Sequence, residues 1–196
     1  MQQYVNYFQR ERKFLTEIKS VFLFLPMVLS PLVVEWLLHI YNPEIFISYK
    51  DEILLVNIAY IVLARFVLLD TAVYIFSRSK HTVHVALMQV VLLYLEITLI
   101  TIFYYAVVFY IFDVFSLFHL SAHLTAENIK SIHQHGLITS MYISTVTFTT
   151  LGSGDWIPQT LSAMIAVISE VILGIVQGGV FVAIVIYAHQ TKKEMV

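Results

Sequence analysis

Between residues 145 and 158 the chain reads Thr-Val-Thr-Phe-Thr-Thr-Leu-Gly-Ser-Gly-Asp-Trp-Ile-Pro, and no other stretch holds so many features with one chemical use. Gly152 and Gly154 are separated by one residue and follow an apolar piece, 137–150, that is too short to span a bilayer. Backbone at such a pair is not regular helix, yet at membrane depth its polar groups must not face lipid, so it must line a space filled by water or ions. Alternating left- and right-handed conformations, which glycine permits, turn successive carbonyl oxygens to one side. A row of carbonyls can replace the hydration shell of a dehydrated cation. A short helix ending at Thr149 would aim its negative dipole end at the membrane centre, where a cation most needs compensation.

The elements that must position this run follow from composition. Of 196 residues, 59% are hydrophobic and only 12% charged, and the mean hydropathy of +0.83 is that of a membrane protein. There is no cysteine, which excludes thiol chemistry and a disulfide-stapled fold. Eleven Lys and Arg with a net charge of −2 leave no basic face for nucleic acid. Four apolar runs are long enough to cross a hydrocarbon core: 21–40, interrupted by Pro26 and Pro31, then 53–76, 83–112 and 161–187. Residues 137–150 form a re-entrant segment between the last two. Arg10, Arg12, Lys13, Lys19, Arg78, Lys80, Lys192 and Lys193 fall on one side of this arrangement, and Lys50 and Lys130 on the other. The positive-inside rule then makes both termini cytoplasmic and brings the re-entrant segment in from outside. The first 20 residues are polar and unlike a signal peptide, so no segment is expected to be removed. Tyr4, Phe8, Leu15 and Ile18 share a helical face there beside Arg12 and Lys13, which reads either as an amphipathic helix on the inner leaflet or as a frayed tail.

The run resembles the pore of the potassium channel family, in which a pore helix leads into Thr-(Val/Ile/Leu)-Gly-(Tyr/Phe)-Gly-Asp and a proline follows. Thr149, Thr150, Leu151, Gly152, Gly154, Asp155 and Pro158 fit that pattern. Downstream, Glu170 and Gly174 resemble the Glu-x-x-x-Gly of the pore-lining helix in prokaryotic two-helix pore modules. The resemblance covers about residues 83–187. It implies a filter of Thr150, Leu151, Gly152, Ser153 and Gly154, a pore mouth at Asp155, hinges at Gly174, Gly178 and Gly179, and a cavity and gate lined by Ile175, Gly178, Val182 and Ile186. Apolar Val182 and Ile186 could close such a pore by dewetting. Ser153 departs from the pattern: it stands where the family has an aromatic ring that packs outward and holds the filter at a fixed width. Tyr142 and Ile143 stand where an aromatic pair is frequent, and Val146 where some members have an acid. A weakened cuff of this kind implies permeation that survives better than sharp selectivity.

Other ionisable residues have readings of their own. Arg65, the only basic residue inside a span, and Glu96 both fall near mid-bilayer, so a structural ion pair is expected, with Asp70 as competitor. No arginine-every-third-residue pattern of a voltage sensor accompanies them. Glu170 reads as a hydrogen-bonded or protonated support near the pore helix. Glu35, one turn from His39, reads as water-exposed near the outer surface. His119 and His123 are spaced to share a helical face, and His133 and His135 could add to them as a zinc site or proton sensor, although exposed turret histidines are the commoner case.

The expectation is therefore an all-α membrane protein with four transmembrane helices, a re-entrant pore helix and a filter loop per subunit, assembled as a homotetramer around one pore. Its parts are a cytoplasmic amphipathic segment (1–20), a two-helix membrane region (21–82), a pore module (83–190) and a short tail (191–196). Its function is that of a cation channel in the plasma or bacterial inner membrane that passes potassium best and admits sodium more readily than its aromatic relatives. Its partners are its own copies, lipid and monovalent cations; no cofactor is expected beyond the permeant ion. With so few residues after the last span, gating is expected from the membrane helices or a partner. Two other readings are an accessory pore subunit, marked by Ser153, and a membrane-embedded enzyme or metal-binding protein using the histidines or Glu96 and Glu170. No nucleophile–base constellation favours an enzyme.

Overall fold

The computed structural model describes residues 29–78, 87–121, 132, 134–152 and 154–193. The N-terminal amphipathic segment, the beginnings of the first and third spans, and the tail end lie outside the described residues. Helix α1 (Leu29–Tyr41) is followed by α2 (Pro43–Ser48), α3 (Lys50–Arg78), α4 (Leu87–Ile111), α5 (Val114–Leu117), strand β1 (Phe118–Leu120), α6 (Gly136–Phe148), β2 (Trp156–Pro158) and α7 (Leu161–Lys193). Pro43 opens α2 at a position where its missing amide proton costs no helical bond. Among the described residues, two helices are long and apolar enough to cross a membrane, within Tyr94–Ile111 and Leu161–Ile186. Helix α3 contains the apolar run 53–67 and extends to 29 residues. Its reach of about 44 Å exceeds a hydrocarbon core.

Helix α4 is apolar all round, so hydrophobicity alone does not say which face packs. Small and polar side chains on its neighbours decide that, as they do where lipid competes equally for apolar groups. Ser140 and Ser144 of α6, and Ser162, Ala163, Ala166 and Gly174 of α7, let these helices approach α4 and each other. Helix α4 packs on both α6 and α7, while α3 lies against α7. The core then fills with Tyr104, Tyr105, Val108 and Phe109 of α4, Phe112 just past its end, Leu54, Ile58 and Ile61 of α3, Ile143 of α6 and Leu173 of α7. Phe109 meets Phe118 edge to face at 5.0 Å between ring centroids, and Phe46 meets Phe112 at 5.1 Å. Such pairs add specific geometry to burial.

Two short strands interrupt the helices. β1 pairs antiparallel with β2 in the register Phe118↔Pro158, His119↔Ile157 and Leu120↔Trp156. Asp113 makes the turn that leads there, at φ 60°, with its side chain accepting from the Phe115 amide at 3.3 Å. His119 therefore lies in a strand, and the helical face expected to join it to His123 does not form. The pairing with β2 imposes an extended backbone whose side chains alternate with period two. Glu35 also differs from expectation: it is buried, and its Oε2 has no hydrogen-bond partner. His39, itself exposed, meets Phe46 edge to face with ring centroids 4.9 Å apart.

In the core Tyr104 Oη of α4 donates to Asn57 Oδ1 of α3 at 2.8 Å, and Asn57 Nδ2 donates on to Ile53 O at 3.2 Å. Tyr104→Phe should lower stability by about 1–2 kcal/mol because Asn57 Oδ1 is left buried without a donor. Tyr110→Phe, at an exposed position, should have no measurable effect. Thermal unfolding of the two variants in the same detergent checks this difference.

Candidate functional site

Helix α6 is 13 residues long and stops at Phe148, so its last carbonyls need partners that are not helical. The chain folds back to supply them. Thr149 N donates to Thr145 O at 3.1 Å, Thr150 N to Thr147 O at 3.0 Å, and Gly152 N to Val146 O at 3.2 Å. The Thr149 hydroxyl adds a 2.7 Å bond to Thr145 O. Through this segment the backbone is left-handed at every second described position: φ is +58° at Thr150, +66° at Gly152 and +62° at Gly154. Glycine reaches that region freely, whereas a β-branched residue does so at a cost of order 1–3 kcal/mol. Thr150 is held there by the bonds on either side of it. Ser153 lies outside the described residues.

An alternating backbone hung on the carbonyl end of a short helix, packed between two membrane-length helices, is what a dehydrated cation would require. Residues 97–190 match the family model described as ion channel. The match begins inside α4 and runs through α5, β1, α6, β2 and most of α7. The match covers just under half of the chain and leaves α1 to α3 outside it. With two apolar helices of membrane length in or across the matched region, the protein is an integral membrane protein. No curated protein and no solved structure gives a match.

Behind the left-handed segment, α6 is fixed to α4 and α7 by polar contacts. The Ser144 hydroxyl lies 2.9 Å from Ile102 O and also bonds Glu170 Oε1. Glu170 is fully buried, its Oε2 without a partner. Tyr105 Oη and Ser169 Oγ are 2.7 Å apart and tie α4 to α7 one residue away. Tyr142 is half exposed, while Ile143 is in the core and Val146 is partly buried.

Gly174 proves to be a contact as well as a glycine in a helix. A Cβ there would come within 2.2 Å of Phe148 O, so the absent side chain lets α7 pass against the carbonyl end of α6. At Gly178 and Gly179 a Cβ would meet nothing within 4 Å. Ile175, Val182 and Ile186 are all exposed on the single subunit, and Ile175 is 61% accessible.

Arg65 does not pair with Glu96 or Asp70. It is buried, at 1% exposure, and its Nη2 donates to Gln177 Oε1 of α7, leaving Nε and Nη1 without partners. Gln177 Nε2 in turn donates to Thr98 Oγ1 at 2.7 Å and to Tyr94 O at 3.3 Å. Helix α3 packs on α7, so an α7 amide is within reach of the guanidinium where the α4 carboxylate is not. Glu96 keeps a buried Oε1 without a partner, and Asp70 is exposed. The sequence does carry a signal for Gln177, the lone amide within the apolar run of α7, where an unsatisfied polar group would be costly.

Asp155 is exposed beyond the segment's end. His135 caps the start of α6 through backbone rather than side chain, and His123 and His133 lie outside the described residues. No group of three or more His, Asp and Glu is placed to hold a metal ion among the described residues.

Gly174→Ala should destabilise by about 1–3 kcal/mol, the usual range for overpacking, because its new methyl meets backbone that has no other place to go. Gly178→Ala should be neutral or stabilising by up to about 1 kcal/mol through helix propensity. If the two glycines served only as hinges, thermal unfolding would not separate the variants. Gln177→Leu should cost about 1.5–3 kcal/mol by removing the acceptor of a buried charged donor. Thr98→Ala, at the far end of the same chain of bonds, should cost less in the same measurement.

Proposed function

We propose that the protein is a homotetrameric cation channel, permeable to potassium and less strictly selective against sodium than channels with an aromatic filter residue. The observation that carries this reading is the alternation of left-handed backbone at Thr150, Gly152 and Gly154 on the carbonyl end of α6. Carbonyls of Thr150, Leu151, Gly152 and Ser153 would line the conduit, Gly154 would close the filter, and Asp155 would stand at its mouth. One chain supplies one such strand and cannot encircle an ion, so several copies are needed.

The surface of α7 supports the assembly. Leu161, Ile165, Ile168, Ile172, Ile175, Val182 and Ile186 are exposed at alternating spacings of three and four residues, with Gly179 completing the stripe. This is the seam that one helix presents to a copy of itself or to a central cavity. On α6, Leu137, Ile138, Met141 and Tyr142 are likewise exposed, as is Leu151 at 77%. In this arrangement Val182 and Ile186 would form an apolar constriction that closes by dewetting, and Gly178 and Gly179 would allow α7 to bend. Both termini would be cytoplasmic, with α3 and the 21–40 stretch as further spans. The channel-family match points to transport rather than catalysis.

Potassium sheds its water at a smaller cost than sodium, so carbonyl sites in series favour it while the filter resists narrowing. Ser153 lacks the ring contact, worth on the order of 1 kcal/mol per subunit, that stiffens an aromatic filter. Mass determination in detergent should give four subunits, and protein purified alone and placed in a planar bilayer should show a reversal potential set mainly by potassium with a measurable sodium contribution. A monomer or dimer as the only active species removes the pore reading. Equal permeability to the two ions removes the inner sites, and silence alone with flux beside another pore subunit makes the protein an accessory subunit.

A further inference from the structure

The first strand, β1, has no part in the pore chemistry described above, yet it holds the backbone that leaves the filter. Its ladder with β2 is extended at both ends by main-chain bonds: Gln159 N donates to Leu117 O at 2.9 Å, and Ser121 N donates to Asp155 O at 2.7 Å. The Ser121 hydroxyl is shared between Gly154 O and Asp155 O, each at 3.2 Å. These are the last filter residue and the residue at the pore mouth. Contact from Ser121 reaches them from the side of the α4–β1 connection rather than from α6.

The strand is itself anchored. Phe118 packs edge to face on Phe109 of α4, and Trp156 of β2 lies 6.0 Å from Phe115. Ser116 accepts from Lys50 Nζ at 2.5 Å, while Ser162 donates to Asp51 Oδ1 at 2.5 Å, so the first turn of α3 grips the chain on either side of the two strands. A cross-strand ladder resists shear along its length, because each bond fixes the register of the next. Main-chain bonds carry no side-chain rotamer entropy, which makes them stiff restraints for a neighbouring loop.

We propose that β1 is a clip that fixes the outer end of the filter, with Ser121 as its terminal fastening and therefore a positioning residue for ion selectivity. The clip acts where the serine filter lacks an aromatic ring. It reaches Gly154 and Asp155 from within the same subunit, so it needs no neighbouring pore helix to brace against. The inference rests on the channel reading, and adds to it a selectivity determinant that lies outside the filter motif.

Two substitutions grade the fastening. Ser121→Ala removes only the shared hydroxyl donor, and Ser121→Pro removes the amide donor as well. The potassium-to-sodium permeability ratio, from reversal potentials of purified tetramers in bilayers, should fall by a small factor in the first. In the second it should fall further, by up to about tenfold, the equilibrium factor of one lost hydrogen bond. The chain has no native cysteine, so a second lock can be added cleanly. His119 and Ile157 are exposed and directly opposite, a spacing of about 5.5 Å that suits a disulfide. His119→Cys with Ile157→Cys on the Ser121→Pro background should restore the ratio under oxidising conditions and lose it again on reduction. A general loss of packing would not reverse in that way. Should Ser121→Pro fail to assemble, the same cysteine pair on the Ser121→Ala background gives the same readout. Conducting tetramers whose ratio is unchanged by either serine substitution, or unaffected by the lock, overturn the clip and leave the channel reading standing. Native tetramers that pass no cation overturn the channel reading itself.

Discussion

Backbone that leaves a helix inside a bilayer has to find a partner for every amide and carbonyl it uncovers, since lipid offers none. In the proposed channel that constraint falls on the segment after α6, and the described residues around it answer it. Thr149, Thr150 and Gly152 return their amides to the carbonyl end of α6. Gly154 and Asp155 have their carbonyls met by Ser121. In the proposed channel the carbonyls of Thr150, Leu151 and Gly152, between these two sets, would face the conduit. Thr150 carries the strain, in a conformation a β-branched residue avoids.

Holding such a segment requires its scaffold to come close, and closeness here is obtained by removing side chains. Gly174 lets α7 touch Phe148 O. Ser144 reaches Glu170 and Ile102 O across what would otherwise be a gap. An apolar core of the same volume would pack but would not fix orientation, because apolar contacts are non-directional. The buried polar contacts behind α6 supply that direction, and the aromatic cluster from Phe46 to Phe118 supplies the volume.

Helix α3, for which the sequence offered no motif, is joined to the region that matches the family model by polar contacts at three separate depths. Lys50 and Asp51 hold it beside the strands, Asn57 meets Tyr104 in the core, and Arg65 meets Gln177 further along α7. Helix α3 therefore packs with the matched region at several depths although it lies outside the family match. Arg65 keeps its Nε and Nη1 buried without protein partners, so its bond to Gln177 is the contact that compensates the guanidinium's burial.

The sequence alone determined what local chemistry and periodicity can express. Apolar run length marked α3, α4 and α7, the short run 137–150 gave α6, and the glycine pair gave a segment that could not be helix. Those features depend on residues adjacent in the chain. Partners far apart in the chain were decided by tertiary structure. Depth alone places Arg65 beside Glu96 or Asp70, but depth does not say which helices are neighbours, and α3 packs on α7. His119 and His123 have helical spacing in the sequence, and nothing in residues 118–120 reveals that 156–158 lie alongside. Gly174 resembled a hinge from its motif, and only the approach of Phe148 O shows the space it must leave empty. A single chain encodes its spans by composition, whereas the pairing of β1 with β2 and of α3 with α7 exists only once folding has brought distant residues within bonding distance.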